Sequence, residues 1–341
     1  MGSRNNSHWL TLRKSRAGVG IEKTDRLWDI IHDLDAKPSL VLLIGETAKK
    51  AALRCMVPSL QKAGGPNNID IRLDADSLCT DRPLLFADGP CRVHESSTVD
   101  SISTGAIDWL EGRLETAVHA VYSRLLSPFL DVVCLFLSDF SGMSELVSFV
   151  SAWIKSASIS PFLVLPRLAV ITEESTFEPA QWKRIFFHQL RKTEKPFGAV
   201  FAGLAVHCLD SAGSASNKIR YEKLKDFLLQ EADLVSSCRA QRHLHFQARH
   251  LAALFDEAYL RFLDNTEFEY IASSRAERPV PHGAAHHVSF FVKDFREPEK
   301  LSSFVLPVVA SAFMLDAFPW GRHGTFYVRA TLTNAENMSR F

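Results

Sequence analysis

The 341-residue sequence has no surplus of either charge: 39 Lys and Arg side chains stand against 39 Asp and Glu. A face that binds duplex backbone by releasing counterions needs clustered Lys and Arg, and no run here reaches five like charges, so nucleic acid is not an expected partner. Long hydrophobic runs are also missing. The two longest, residues 129–137 and 304–315, are too short or too interrupted to cross a hydrocarbon core of about 30 Å, so no transmembrane segment is expected. The first twenty residues lack the continuous apolar stretch of a secretory signal. Six cysteines are present, but none forms a Cys-x-x-Cys pair and several sit in apolar surroundings, the pattern of reduced thiols in a cytoplasmic protein. The sequence contains neither a Gly-x-Ser-x-Gly turn nor a glycine-rich oxyanion loop, which excludes the commonest serine-hydrolase chemistry. The nearest approach, Gly213-Ser214-Ala215-Ser216, has no strand before it and reads as linker.

What remains is the composition of a folded chain, 46% hydrophobic and 23% charged, with 24 Phe concentrated in the C-terminal two thirds. Its length accommodates about two domains. Residues 1–20 carry Gly, Ser, Asn and Arg without periodicity and are expected to be a disordered arm. A short helix follows over 25–34, with Thr24 as its cap and Pro38 beyond it. Aliphatic runs at 40–44, 69–73, 84–87, 132–137, 168–171 and 199–206 read as strands, several apolar on both faces. Helical patterns fall between most of them, at 47–57, 107–126, 144–156 and 181–192. This alternation predicts an α/β domain over 21–210, a three-layer, mostly parallel sheet with right-handed crossovers. After the small-residue linker 211–216 the pattern turns helical over 218–239, 246–263, 286–295 and 299–318. A helical region over 217–320 is expected, either a separate subdomain or a layer on the sheet, with a frayed tail at 321–341.

In such sheets ligands bind beyond the carboxyl ends of the strands. The loop after the first aliphatic strand reads Gly45-Glu46-Thr47-Ala48-Lys49-Lys50-Ala51. A buried strand, a glycine, a short polar loop and a lysine opening a helix form the layout of a phosphate-binding P-loop, in which free N–H groups and a full positive charge hold phosphate oxygens. The match is incomplete. One residue is missing between Gly45 and the lysine, Lys49 stands where the second glycine belongs, and Ala51 removes the hydroxyl that would ligand Mg²⁺. Lys50 is the expected phosphate lysine, and Glu46 brings a negative charge to the site. On the simpler alternative Thr47 caps an ordinary helix and both lysines are solvated.

Two further positions bear on a nucleotide. Residues 82–90 end a strand in Asp88-Gly89-Pro90, where a metal-organising Asp-x-x-Gly loop would have different spacing, so a plain turn competes with a metal role. At the later strand, Thr172-Glu173-Glu174-Ser175 keeps only the Thr of an Asn/Thr-Lys-x-Asp guanine motif. Gly45, Thr47, Lys49, Lys50, Asp88 and Thr172 thus outline a vestigial nucleotide site on a sheet of P-loop-NTPase type.

The stretches 41–53, 82–88, 132–142, 165–173, 248–255 and 306–316 together resemble the P-loop-NTPase-like region that precedes a patatin-like phospholipase domain in large fungal proteins. The resemblance spans most of residues 38–320. It implies a regulatory or interaction module whose partner is another protein or a downstream enzyme domain. No phospholipase activity carries over, because the hydrolase signature is absent. No cofactor is expected. The competing expectation is a working GTPase or ATPase that binds GTP or ATP with Mg through Lys50 and Asp88.

Histidines gather at 243, 245 and 250 and at 282, 286 and 287 without the spacing of metal ligands, and no metal site is expected. The aromatic series Phe290, Phe291, Phe295, Phe304, Phe313, Phe318 and Trp320 reads as a core rather than a groove. The alternating charges of 218–239 read as a solvated helix face.

Overall fold

The computed structural model describes residues 8–15, 18–24, 31, 33, 35–57, 67–78, 80–93, 98–99, 105–107, 109–110, 113–158, 164–173, 178–190, 195–210, 216–241, 244–268, 284–293, 295 and 297–317. The described chain is α/β. Among the described residues nine strands form one mixed, mostly parallel sheet: β1 (His8–Ser15), β2 (Gly18–Lys23), β3 (Ser39–Gly45), β4 (Asn68–Leu73), β5 (Leu84–Pro90), β6 (Thr98–Val99), β7 (Val132–Phe136), β8 (Arg167–Thr172) and β9 (Gly203–Cys208). The spatial order is β2-β1-β4-β5-β3-β7-β8-β9, with β6 pairing β1. The strands β5, β3, β7, β8 and β9 run parallel, while β4 is antiparallel to β5, β1 to β4 and β2 to β1.

Why the centre of this sheet folds is plain in its side chains. Every residue of β3 and β7 is buried, the continuous apolar reading of strands covered on both faces. On one face Val41, Leu43, Phe86, Val132, Cys134 and Ile171 pack with Ala52, Leu53 and Met56 of helix α1 (Thr47–Met56), and with Tyr221, Leu224, Leu228 and Ala232 of a 25-residue helix, α5 (Asn217–Gln241). The residues between them, Leu42, Ile44, Ala87, Val133 and Leu135, point the other way by strand alternation and are as deeply buried. Elsewhere a ring cluster joins the π-helical continuation (Val121–Leu126) of α2 (Leu114–Ala120) to α3 (Met143–Ser156): Tyr122 stacks on Trp153 at 5.5 Å, and Trp153 meets Phe201 at 5.7 Å. Helix α4 (Pro179–Leu190) buries Trp182 and Phe186, which stack at 5.5 Å.

Two expectations change, and one that was left open is narrowed. The supposed arm 1–20 contains β1 and part of β2, and Trp9, Leu10, Leu12 and Val19 are buried in them. The alternation Leu10, Leu12 and Val19, Ile21 is masked in the sequence by the Arg, Lys and Gly between, which carry no apolar side chain to continue it. Helix α6 (Ala248–Leu263) contributes to that cover: Phe255 lies 4.5 Å from the Trp9 ring, and Tyr259 donates a 2.7 Å hydrogen bond to the Ile21 carbonyl. Next, α5 up to Arg239 and α6 belong to the same compact unit as the sheet, residues 1–239 with 246–268, and α5 packs on one face of it, so of the two arrangements left open for the helical region α5 takes the layer on the sheet. Finally, the charges of α5 are not simply solvated. Arg220 reaches Glu173 at 3.4 Å, Lys225 reaches Asp74 at 2.7 Å, Glu231 meets Arg167 at 2.5 Å, and buried Arg239 meets buried Asp131 at 2.9 Å. The sequence shows only that these charges alternate; which of them find partners depends on the strand ends that the helix crosses.

The second unit comprises residues 240–245 and 269–341. Its described helices are α7 (Ala284–Val292) and a continuous α8 that runs from Pro298–Lys300 through a π-helical turn, Leu301–Val305, into Leu306–Ala317. Phe295 touches Phe291 at 5.3 Å and Phe304 at 5.8 Å, whereas Phe290 is 68% exposed and Phe304 51% exposed, so the aromatic series is not uniformly core. Most of the expected helix 25–34, the linker 211–215 and the tail 321–341 lie outside the described residues. Among the described residues no helix is long and apolar enough to cross a membrane.

Candidate functional site

The carboxyl ends of β3, β5 and β7 meet at the start of α1. Gly45 closes β3 with φ +158°, and α1 begins two residues later with no acidic side chain in its first turn and no capping hydrogen bond from the side chain of Glu46, its N-cap. The uncapped amides are taken by a residue from another strand. Asp139, in the turn that follows β7, accepts hydrogen bonds from the backbone N–H of Glu46 at 2.7 Å, Ala48 at 2.8 Å and Lys49 at 3.0 Å. A carboxylate is well placed there, because the first turn of a helix presents unpaired donors and a partial positive charge. Gly45 permits the approach: a Cβ at that position would overlap Asp139 Oδ2. The set of donors that the sequence assigns to a phosphate is therefore satisfied by the protein's own anion.

The lysine is equally engaged. Lys49, 3% exposed, turns inward, forms an ion pair with Asp88 Oδ1 at 2.7 Å and donates to the Gly89 carbonyl at 2.6 Å. Lys50, the residue expected to carry the phosphate, is exposed. The reason lies in helical periodicity. The buried stripe of α1 is Lys49, Ala52, Leu53 and Met56, so Lys49 stands three, four and seven residues before its apolar members and Lys50 falls off the face. Asp88 is further neutralised by Arg72 at 3.3 Å, and Arg72 also faces Asp70 at 3.5 Å, where β4 and β5 pair Asp70 directly with Asp88. Two cations thus match two carboxylates in a buried row that leads from α1 across β5 to β4.

The walls of the site are close. Tyr122 donates a 2.8 Å hydrogen bond to the Pro90 carbonyl, and its hydroxyl fills the space that a side chain at Gly89 would need. Burial and the neighbouring Asp88 carboxylate push the Tyr122 phenol well above its ordinary value. Cys91 Sγ lies 3.7 Å from Glu46 Oε1, and burial, followed by the Glu46 charge, pushes the thiol up to about 12, which favours its protonated form. At the rim, Arg92 pairs with Glu145 at 2.9 Å.

Of the residues singled out from sequence, Gly45, Lys49 and Asp88 converge. Thr47 is exposed at the start of α1, and Lys50 faces away from the pair that Lys49 makes. Thr172 is buried at the end of β8, two strands from β3, with its carbonyl accepting from Leu209 N–H at 2.8 Å. The adjacent Glu173, half exposed, pairs with buried Arg220 at 3.4 Å. Sequence reasoning missed Asp139, Arg72, Asp70 and Tyr122. Asp139 carried one legible signal: it lies just past an apolar run read as a strand, where ligand-facing residues of parallel sheets collect.

Compared with the models of known protein families the chain matches none, and it matches no curated protein.

Proposed function

We propose that this chain is a non-catalytic regulatory or interaction module built on a degenerate P-loop-NTPase-like scaffold. The observation that carries the reading is the Asp139 carboxylate seated on the three amides where a phosphate would bind. Two others support it. Lys49 is consumed by Asp88 and Gly89, and Ala51 offers no hydroxyl for a cation. The glycine loop after β3, in the interior of the parallel sheet, is what remains of the nucleotide-binding layout. An active GTPase or ATPase working through Lys50 and Asp88 would need an exposed lysine to turn inward and a neutralised carboxylate to release two cations. By its resemblance the module works beside a protein partner or a patatin-like phospholipase domain downstream, its scattered cysteines suit the cytoplasm, and its output is contact rather than turnover.

The deciding experiment is thermal unfolding of the full chain in Mg-GTP and in Mg-ATP at millimolar concentration. No rise in the melting temperature is expected from either. A rise of several degrees, through binding to the folded state alone, would overturn the reading.

A further inference from the structure

The ion pairs around α1 do more than fill a vacated pocket. Asp139 comes from the turn after β7 and grips the start of α1; Lys49 comes from that same turn of α1 and grips the end of β5 through Asp88 and Gly89. Asp88 passes the contact to Arg72 of β4. Tyr122 fastens Pro90 through its carbonyl. In a loop that binds an anion with its cation, the anion gathers the helix amides and the cation draws in the next strand's acidic end. Here the same two charges are supplied covalently, a carboxylate on the amides and an ammonium on the aspartate.

Resting on the reading above, we propose that Asp139 and Lys49 act together as a built-in ligand, which holds the segments following β3, β5 and β7 permanently in one closed arrangement. The device makes the end of the sheet a fixed surface rather than a switching one. Its energetics are coupled, because the Lys49 amide and the Lys49 ammonium belong to one residue: releasing Asp139 frees the turn that positions the ammonium, and releasing the ammonium frees the turn that Asp139 holds. Such coupling is reciprocal.

Amide hydrogen exchange of the full chain, without nucleotide, tests it. In Asp139→Asn, exchange is expected to quicken by about 10- to 100-fold at Glu46, Ala48 and Lys49, and also at Gly89 and Cys91, which Asp139 does not hold by its side chain. In Lys49→Met, which leaves the Asp139 carboxylate in place, the amides of Glu46 and Ala48 are expected to quicken as well. Changes confined to the altered residue's own contacts in both variants would overturn the proposal, as would unchanged exchange. If Asp139→Asn fails to fold, Lys49→Met decides alone. Because no nucleotide is present, failure here leaves the nucleotide titration unaffected, and a positive titration leaves the measured coupling unaffected.

Discussion

Two neighbouring lysines have opposite fates for a reason that operates at the scale of one residue. Lys49 lies on the apolar stripe of α1 and is paired in the interior; Lys50 is one position round the helix and stands in solvent. Removing one partner of a buried pair leaves the other charge desolvated, at a cost of about 3–5 kcal/mol. Arg72 still faces Asp88, so the lower end is expected for Lys49→Met, read as a reduced urea midpoint, with Lys50→Ala within about 0.5 kcal/mol of the parent. His119 offers a second test. It is buried, its ring 4.7 Å from Phe149, and burial lowers its pKa from 6.5 to about 4. The folded state therefore binds fewer protons than the unfolded chain between those values. The contribution of His119 to stability is complete above pH 6.5 and is lost as pH falls towards 4. Replacing it by Gln should remove about 2.5 kcal/mol of the difference in unfolding free energy between pH 7.5 and pH 4.5. A parent and a variant with parallel pH profiles would show that the imidazole is not shielded.

At the scale of elements, α5 is the member that joins apolar and ionic contacts. Leu228 is fully buried in the core shared with β3, β5 and β7, and truncation to Ala is expected to cost about 2–5 kcal/mol by transfer and cavity formation. The ion pairs along the same helix are more exposed at Arg82–Asp233, where Asp233 is 62% exposed, than at Arg239–Asp131, where both are nearly enclosed. Burial raises the Asp131 pKa against the pull of Arg239, so this pair locates the helix more than it stabilises the fold. The hairpin β1–β2 is an integral element as well. Trp9→Ala should lower stability by about 3–5 kcal/mol in chemical denaturation, a loss that a dangling arm could not produce.

For the whole molecule, the sheet, α5 up to Arg239, α6 and the candidate site fall within one compact unit that ends at Phe268. A chain stopped after Phe268 is expected to unfold in a single cooperative transition and to retain the slow exchange of the β3 and β7 amides. Loss of that cooperativity would show that the second unit is required for the first to fold. The exposed Phe290 and Phe304 belong to the second unit.

The linear order of residues was enough for the central strands and most helices, because apolar runs apolar on both faces and 3.6-residue periodicity are local properties. It was enough, too, to point at Gly45 and the lysines that follow it. It gave no access to the hairpin at the start of the chain, whose buried Leu10, Leu12, Val19 and Ile21 are interrupted by Arg, Lys and Gly, and it left α5 and α6 open between a separate subdomain and a layer on the sheet. The choice between Lys49 and Lys50 was legible in the spacing to Ala52, Leu53 and Met56, although a motif template obscures it. What occupies the α1 amides was decided only in three dimensions. Asp139 stands 90 residues or more from the amides it binds, and only the parallel pairing of β3 with β7 brings its carboxylate to them.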